Sequence, residues 1–299
     1  MDDEGWVDQT YTWVWVTDRP WSDADTERYD SGRDGFTGIR LMCSRSAYRA
    51  AKVDLHFLAQ IRRPVRSLHI DVPMYDDTAV FARPEIEELE LLTICKKPLR
   101  LDRLPNLWGL TVRARPGVEE GIPGAVGLTH LSLVNFKYPD LRCVRNLPRL
   151  RALRIDARRG RFALDGIEDC VSLRSVMALG ATIENLGPLA GLAKLTDIHL
   201  TGVPGEASSE PLDLRPLTAL PRLYEIRLAM QRPIRSLAPL LDMPALQSVA
   251  VGEDVLDRDM TPLVKLTEQG VRVGSFVDHP GYTHTSDEIQ QLQAALGVI

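Results

Sequence analysis

An internal repeat limits what this 299-residue chain can fold into more than any other feature. The apolar pattern Φ-x-x-Φ-x-Φ recurs, beginning at Phe36, Val65, Ile86, Leu107, Leu128, Leu150, Leu173, Leu195, Leu223 and Leu246. The steps between these first residues are 29, 21, 21, 21, 22, 23, 22, 28 and 23, and seven of nine within 21–23 is not a chance distribution. The Φ-x-Φ half of each unit alternates with the period of a strand buried on one face. A single unit of this size cannot bury its own apolar side, but stacked units share one continuous core.

The second half of each unit also repeats. Ile183, Leu186, Leu189 and Leu192 are spaced by three, as are Ile234, Leu237, Leu240 and Met243. That spacing suits a 3-10 or very short helix with one buried face. Several of these turns open with a side-chain acceptor and a proline: Asn185 with Pro188, Asp213 with Pro216, Ser236 with Pro239, and Asp259 with Pro262. The acceptor can satisfy an orphan N–H of the first turn, and proline sits where its missing N–H costs nothing.

On these residues the chain resembles the bacterial leucine-rich-repeat proteins of the 22-residue, internalin-like class, over roughly 36–274. The resemblance implies an α/β solenoid: a right-handed superhelix with a concave parallel β-sheet and convex 3-10 or short-helix turns. Three regions are expected: an aromatic and acidic N-terminal cap over 1–35, a solenoid of about ten or eleven coils over 36–274, and a capping helix within 275–299. One departure stands out. The asparagine that bonds the backbone between coils in the family is replaced by Pro73, Ile94, Arg115, Phe136, Arg158, Ala181, Val203, Gln231 and Asp254. Without an asparagine ladder, the buried turn backbone must find other partners.

At the C-terminal end, Val271 and Val273 read as a last degenerate strand. Thr285 through Glu288 form a capping box for a helix whose Ile289, Leu292, Ala295 and Leu296 seal the final coil. The N-terminal end is rich in tryptophan: Trp6, Trp13, Trp15 and Trp21. Tyr11–Val16 reads as a strand with two competing registers. Capping of the first repeat by inward Trp13 and Trp15 is the expectation. A one-residue slip would instead turn both rings outward as a partner-binding hot spot. Residues 17–35 read as a long acidic loop that is either a solvated connection or an arm for a basic partner.

Composition excludes several functions. No apolar run is long enough to span a bilayer, and the acidic start Met1-Asp2-Asp3-Glu4 is the reverse of a secretory signal. Cys43, Cys95, Cys143 and Cys170 lie 27 to 52 residues apart with no C-x-x-C pair, so neither a zinc site nor a disulfide framework is expected. The location is read as cytoplasmic, and the excess of Arg over Lys, 30 to 6, points to a bacterium. Ten of the 41 acids fall within residues 1–35, against three arginines, leaving the remaining chain near neutral; no basic block marks a nucleic-acid binder.

No phosphate loop, HExxH, GxSxG or EF-hand spacing occurs, and no cofactor or metal is expected. Alternation assigns the third, fifth and seventh residues of each unit to the concave face. Among these are Arg40, Met42, His69, Asp71, Glu88, Glu90, Leu92, Thr111, Arg113, His130, Ser132 and Val134. Arg154, Asp156, Met177, Leu179, Asp197, His199, Thr201, Glu225, Arg227 and Arg272 continue the face. Apolar residues interleaved with charge suggest a protein partner. The expected function is therefore a non-catalytic protein-binding scaffold using Arg154, Met177, Leu179, His199 and Arg227, with Trp13 and Trp15 as a second candidate. A lone solenoid acts by occupying a surface, so an inhibitor or immunity-type role is one form of this expectation. Two alternatives stand: an enzyme using His69, Asp71 or His199, and nucleic-acid binding through Arg154, Arg227 and Arg272. Small-molecule ligands are not expected.

Overall fold

The computed structural model describes residues 11–51, 53–157, 161–180, 182–202 and 210–298. Trp6, residues 203–209 of the 28-residue unit, and the ladder positions Arg158, Ala181 and Val203 lie outside them. The chain divides into two compact units at the Asn135–Phe136 bond.

In the first unit six parallel strands stack in chain order: β1 (Trp13–Thr17), β2 (Gly38–Met42), β3 (Ser67–Asp71), β4 (Glu88–Leu91), β5 (Gly109–Arg113) and β6 (His130–Val134). In the second unit β7 (Ala152–Asp156), β9 (Ser175–Leu179), β11 (Asp197–Thr201), β12 (Glu225–Ala229), β13 (Ser248–Val251) and β14 (Arg272–Val273) do the same. Two short strands, β8 (Arg161–Phe162) and β10 (Thr182–Ile183), pair separately, also in parallel. The strands are linked mainly by 3-10 turns. The helices are α1 (Asp23–Ser31), α2 (Arg45–Ala51), α3 (Val118–Gly121), α4 (Thr261–Glu268) and α5 (Ser286–Leu296).

The pleat sends alternate residues to opposite faces. Apolar residues of the repeat, such as Ile39 with Leu41 and Ile198 with Leu200, are at most 1% exposed. Each strand therefore buries one face against the turns and leaves the other face uncovered by them. The four predicted turn starts form as read. Asn185, Asp213, Ser236 and Asp259 accept from the N–H two residues on, at 2.9 to 3.2 Å.

Long side chains replace the missing asparagine ladder. Arg115, at a ladder position, donates to the Lys97 carbonyl one coil earlier (2.6 and 2.9 Å) and to the carboxylate of Asp77 (2.5 and 3.0 Å). Both side chains of this pair are buried, and the Thr93 hydroxyl adds a bond to Asp77 at 2.6 Å. In the second unit the buried Arg232 donates to the carbonyls of Ile183, Glu184 and Glu210. Glu253 accepts from the backbone N–H groups of Met230, Gln231 and Arg232. An arginine reaches the carbonyls of two turns at once because its five donors form a rigid fork.

Two expectations at the N-terminal end are corrected. Val14 and Val16 are 1% exposed and Trp15 is 55% exposed, so Trp13 and Trp15 face outward and do not cap the core. The valines, smaller and β-branched, match the inward row of the next strand, where Val14 pairs with Ile39 and Val16 with Leu41. Nor is 17–35 a loop. Ser22 and Asp25 make a reciprocal capping box that starts α1, and Gly32 ends it with a positive φ of 67°. The helix lies on the coil through Tyr29, which is fully buried and donates to the Pro64 carbonyl at 2.9 Å. Trp21 stacks on Phe57 at 4.4 Å. The bidentate bond from Arg19, aided by Ser22, holds the Asp25 carboxyl down at about 2 against the opposing effect of burial.

At the other end the face of α5 differs from the one read from sequence. Ile289 and Gln293 are buried, whereas Ala295 and Leu296 are exposed. Gln293 wins this position by chemistry. Its amide accepts from the Val273 N–H and donates to the Val273 carbonyl, both at 2.8 Å, which satisfies the backbone of the last short strand as another strand would.

Candidate functional site

On the second unit's open face, register brings Arg154, Met177, His199 and Arg227 into one row across four adjacent strands. Leu179 stands in the next row, between Asp156 and Thr201. Arg154 and Arg227 are exposed, and Met177, Leu179 and His199 are half-exposed. Five of the seven residues proposed from sequence thus share one surface. Neighbouring acids are tied down locally: Asp197 takes the hydroxyls of Ser175 and Thr196, and Glu225 pairs with Arg227 at 2.6 Å. Arg154 makes no hydrogen bond or ion pair among the described residues.

Burial, together with the charges of Arg227 and Arg154, lowers the pKa of His199 from 6.5, with Glu225 opposing. The folded state therefore binds a proton less readily than the unfolded chain. Stability is full above the unfolded value and is lost as the pH falls through 6.5 toward the lowered folded value. His199→Gln should flatten this part of the profile. Urea midpoints of both proteins between about pH 5 and pH 7 read the difference, and parallel profiles would contradict it.

The first unit's open face carries a second constellation. Arg40 lies between the rings of Trp13 (5.4 Å) and Trp15 (4.6 Å), a cation–π stack. Gly38 makes room for it, since a Cβ there would lie 2.8 Å from the Trp13 ring. Arg40 also reaches Nδ1 of His69 at 2.8 Å. A guanidinium can only donate, so this nitrogen accepts and the imidazole proton sits on Nε2. That N–H faces Glu88 at 3.6 Å, beyond hydrogen-bond length, and has no hydrogen-bond partner although the side chain is only 10% exposed. Burial works against the charge of Glu88, but the facing His69 N–H, the Ser67 hydroxyl at 2.6 Å and Arg40 outweigh it, holding its pKa below the usual value.

Arg40, His69, Glu88 and Glu90 line a cleft of about 270 Å³ with Trp108, Thr111 and His130. Gly109, the one residue without a side chain between Glu88 and His130 in their row, also lines it. Trp108 and His130 meet edge to face at 5.4 Å. Trp108 and Gly109 were not singled out in the sequence. The available signal was a glycine at a position where adjacent coils carry Glu88 and His130. The envisaged pairing of His69 with Asp71 does not form, because Arg40, Trp13 and Glu88 surround the ring.

Among the described residues, no three His, Cys, Asp or Glu side chains gather as metal ligands, and no helix is long and apolar enough to cross a membrane. All four cysteines are buried.

Parallel strands stacked coil on coil, with 3-10 turns on the buried side, define an α/β solenoid of the leucine-rich-repeat type. Solved structures agree. An internalin (inlF) from Listeria monocytogenes matches with a TM-score of 0.59 at 14% identity, covering 89% of this chain and 73% of that one. Internalin C2 (inlC2) of the same organism matches at 0.48 and 18% identity, over 61% of this chain and 78% of that one. TLR13 in its complex with ssRNA13 matches at 0.55 and 14% identity, over 78% of this chain and 34% of that one. The likenesses to inlF and TLR13, at these identities, establish the fold alone. No family model and no curated protein matches the sequence.

Proposed function

We propose that the chain is a non-catalytic scaffold that binds a protein partner through the open face of its sheet, in the manner of an inhibitor or immunity-type protein that occupies its target's surface. The observation that carries this reading is the row Arg154–Met177–His199–Arg227 with Leu179 beside it. Half-exposed apolar side chains rimmed by arginine are the composition of a protein-binding patch. A hydrogen-bonded sheet presents them at fixed spacing, so little conformational freedom is lost on docking. The outward Trp13 and Trp15 offer a second anchor of the kind that dominates interface energetics. Four cysteines with no clustered or C-x-x-C spacing and the arginine-rich composition favour a bacterial cytoplasm.

Nucleic-acid binding is the weaker reading, even with an RNA complex among the fold neighbours. Asp156, Asp197 and Glu225 alternate with Arg154, Arg227 and Arg272 on the same face, so the arginines form no continuous basic track. Affinity capture from the cell of origin, with mass spectrometry, tests the proposal. Wild type should retain a defined protein, and the double substitution Met177→Asp with Leu179→Asp should lose it while keeping an unchanged melting temperature. Equal capture by both would remove this patch as the docking surface.

A further inference from the structure

The cleft lined by Gly109 holds a buried donor without a hydrogen-bond partner and, one strand on in the same row, a half-exposed carboxylate. His69 offers a buried Nε2–H with no hydrogen-bond partner, its facing carboxylate oxygen on Glu88 standing at 3.6 Å. Glu90, in register with His69 on one side and Thr111 on the other, makes no hydrogen bond or ion pair among the described residues. The walls are the edges and faces of Trp108 and His130. Arg40 also lines the cleft, but in register it lies on the far side of His69 from Glu90, and its charge is shared with two indoles. The Glu88–Glu90 end is therefore negative and aromatic, a combination that attracts a cation.

We propose that this cleft receives an arginine side chain of a protein partner, with an adjacent peptide carbonyl of the same segment taking the His69 N–H. This rests on the protein-binding reading above and adds the chemistry of the docking segment. At about 270 Å³ the cleft falls below the usual size of a pocket for a drug-sized ligand or cofactor, but admits one long side chain. A planar guanidinium suits it better than an ammonium, because it can lie against Trp108 while its fork meets carboxylate oxygens. Gly109 is the residue that leaves the space. A Cβ there would come within 3.3 Å of Cγ of Glu88, so even a small side chain begins to fill the opening.

The test titrates N-acetyl-arginine amide into the full chain and follows the tryptophan indole N–H resonances, with Trp108→Phe identifying the one in the cleft. Saturable binding with a dissociation constant on the order of 1 mM is expected for one side chain without its protein. N-acetyl-leucine amide should leave that resonance unmoved. Glu90→Gln should weaken arginine binding about fivefold, and Gly109→Val should abolish it. Valine is a good strand residue, and thermal melting verifies that the variant folds; Glu90→Gln decides the matter if it does not. An equal response to the leucine amide, no saturable response to arginine, or unchanged binding in Glu90→Gln would overturn the proposal. A chain that captures its partner protein but fails the arginine titration sinks the cleft alone. Arginine binding that survives with no captured partner upholds the cleft and sinks the patch on the second unit.

Discussion

Replacing Arg115 with methionine should destabilise the first unit by about 3–5 kcal/mol, the cost of removing one partner from a buried ion pair. Asp77, its side chain fully buried, would lose both guanidinium bonds and keep the Thr93 hydroxyl bond. The Lys97 carbonyl would lose both guanidinium bonds. Methionine roughly matches the volume of the arginine stem, so the loss is electrostatic and not a packing defect. The double variant Asp77→Asn with Arg115→Met should recover much of the stability, because no uncompensated charge remains. The two substitutions are coupled, and a cycle of urea unfolding experiments measures the coupling. Arg28→Met, which breaks the exposed pair with Asp34 and the stacking on Phe36, should cost no more than about 1 kcal/mol. If Arg115→Met behaved like Arg28→Met, the bridging role assigned to arginine in place of the family's asparagine would be wrong.

The second large effect belongs to the shared interior. Leu200→Ala should cost about 2–5 kcal/mol, the range for deleting a buried leucine side chain and leaving a cavity. Leu200 is fully buried on β11, between Ala178 and Leu228 in the same inward row. Ala178 is already small and cannot spread into the space, which argues for the upper part of that range. Thr201→Ala, one residue on but on the open face, should leave the urea midpoint nearly unchanged. A comparable loss at Thr201 would mean that the two faces of β11 had been assigned the wrong way round.

The repeat made the stack of coils legible, because a step of 21 to 23 residues fixes both strand and turn and because alternation then fixes each side chain's face. Arg154, Met177, His199 and Arg227 were recoverable as one row for that reason: equivalent positions in successive units become neighbours in parallel register. The tryptophan register was ambiguous because Tyr11–Val16 is apolar on both faces, so pattern could not tell valine-in from tryptophan-in. Helix α1 was hidden by its composition. It buries only Asp25 and Tyr29 and has no apolar stripe, although the Ser22–Asp25 capping box and Gly32 marked both of its ends. The Arg115 bridge was half visible. Its place in the missing asparagine ladder could be counted, but Asp77 lies 38 residues away and is brought to it only by stacking. The cleft over Gly109 depends on three successive strands at once, and the feature that creates it is an absent side chain.

One distance tests the stacked-row geometry most directly. Spin labels at Arg154→Cys on β7 and Ala250→Cys on β13 occupy the same row four strand spacings apart, about 20 Å at the usual inter-strand distance. The four native cysteines are buried and should remain unlabelled. Double electron–electron resonance should give a single narrow distribution centred near that separation. A distribution centred well beyond about 30 Å, or several broad populations, would contradict parallel one-strand stacking. The surface on which the proposed function rests would then not exist.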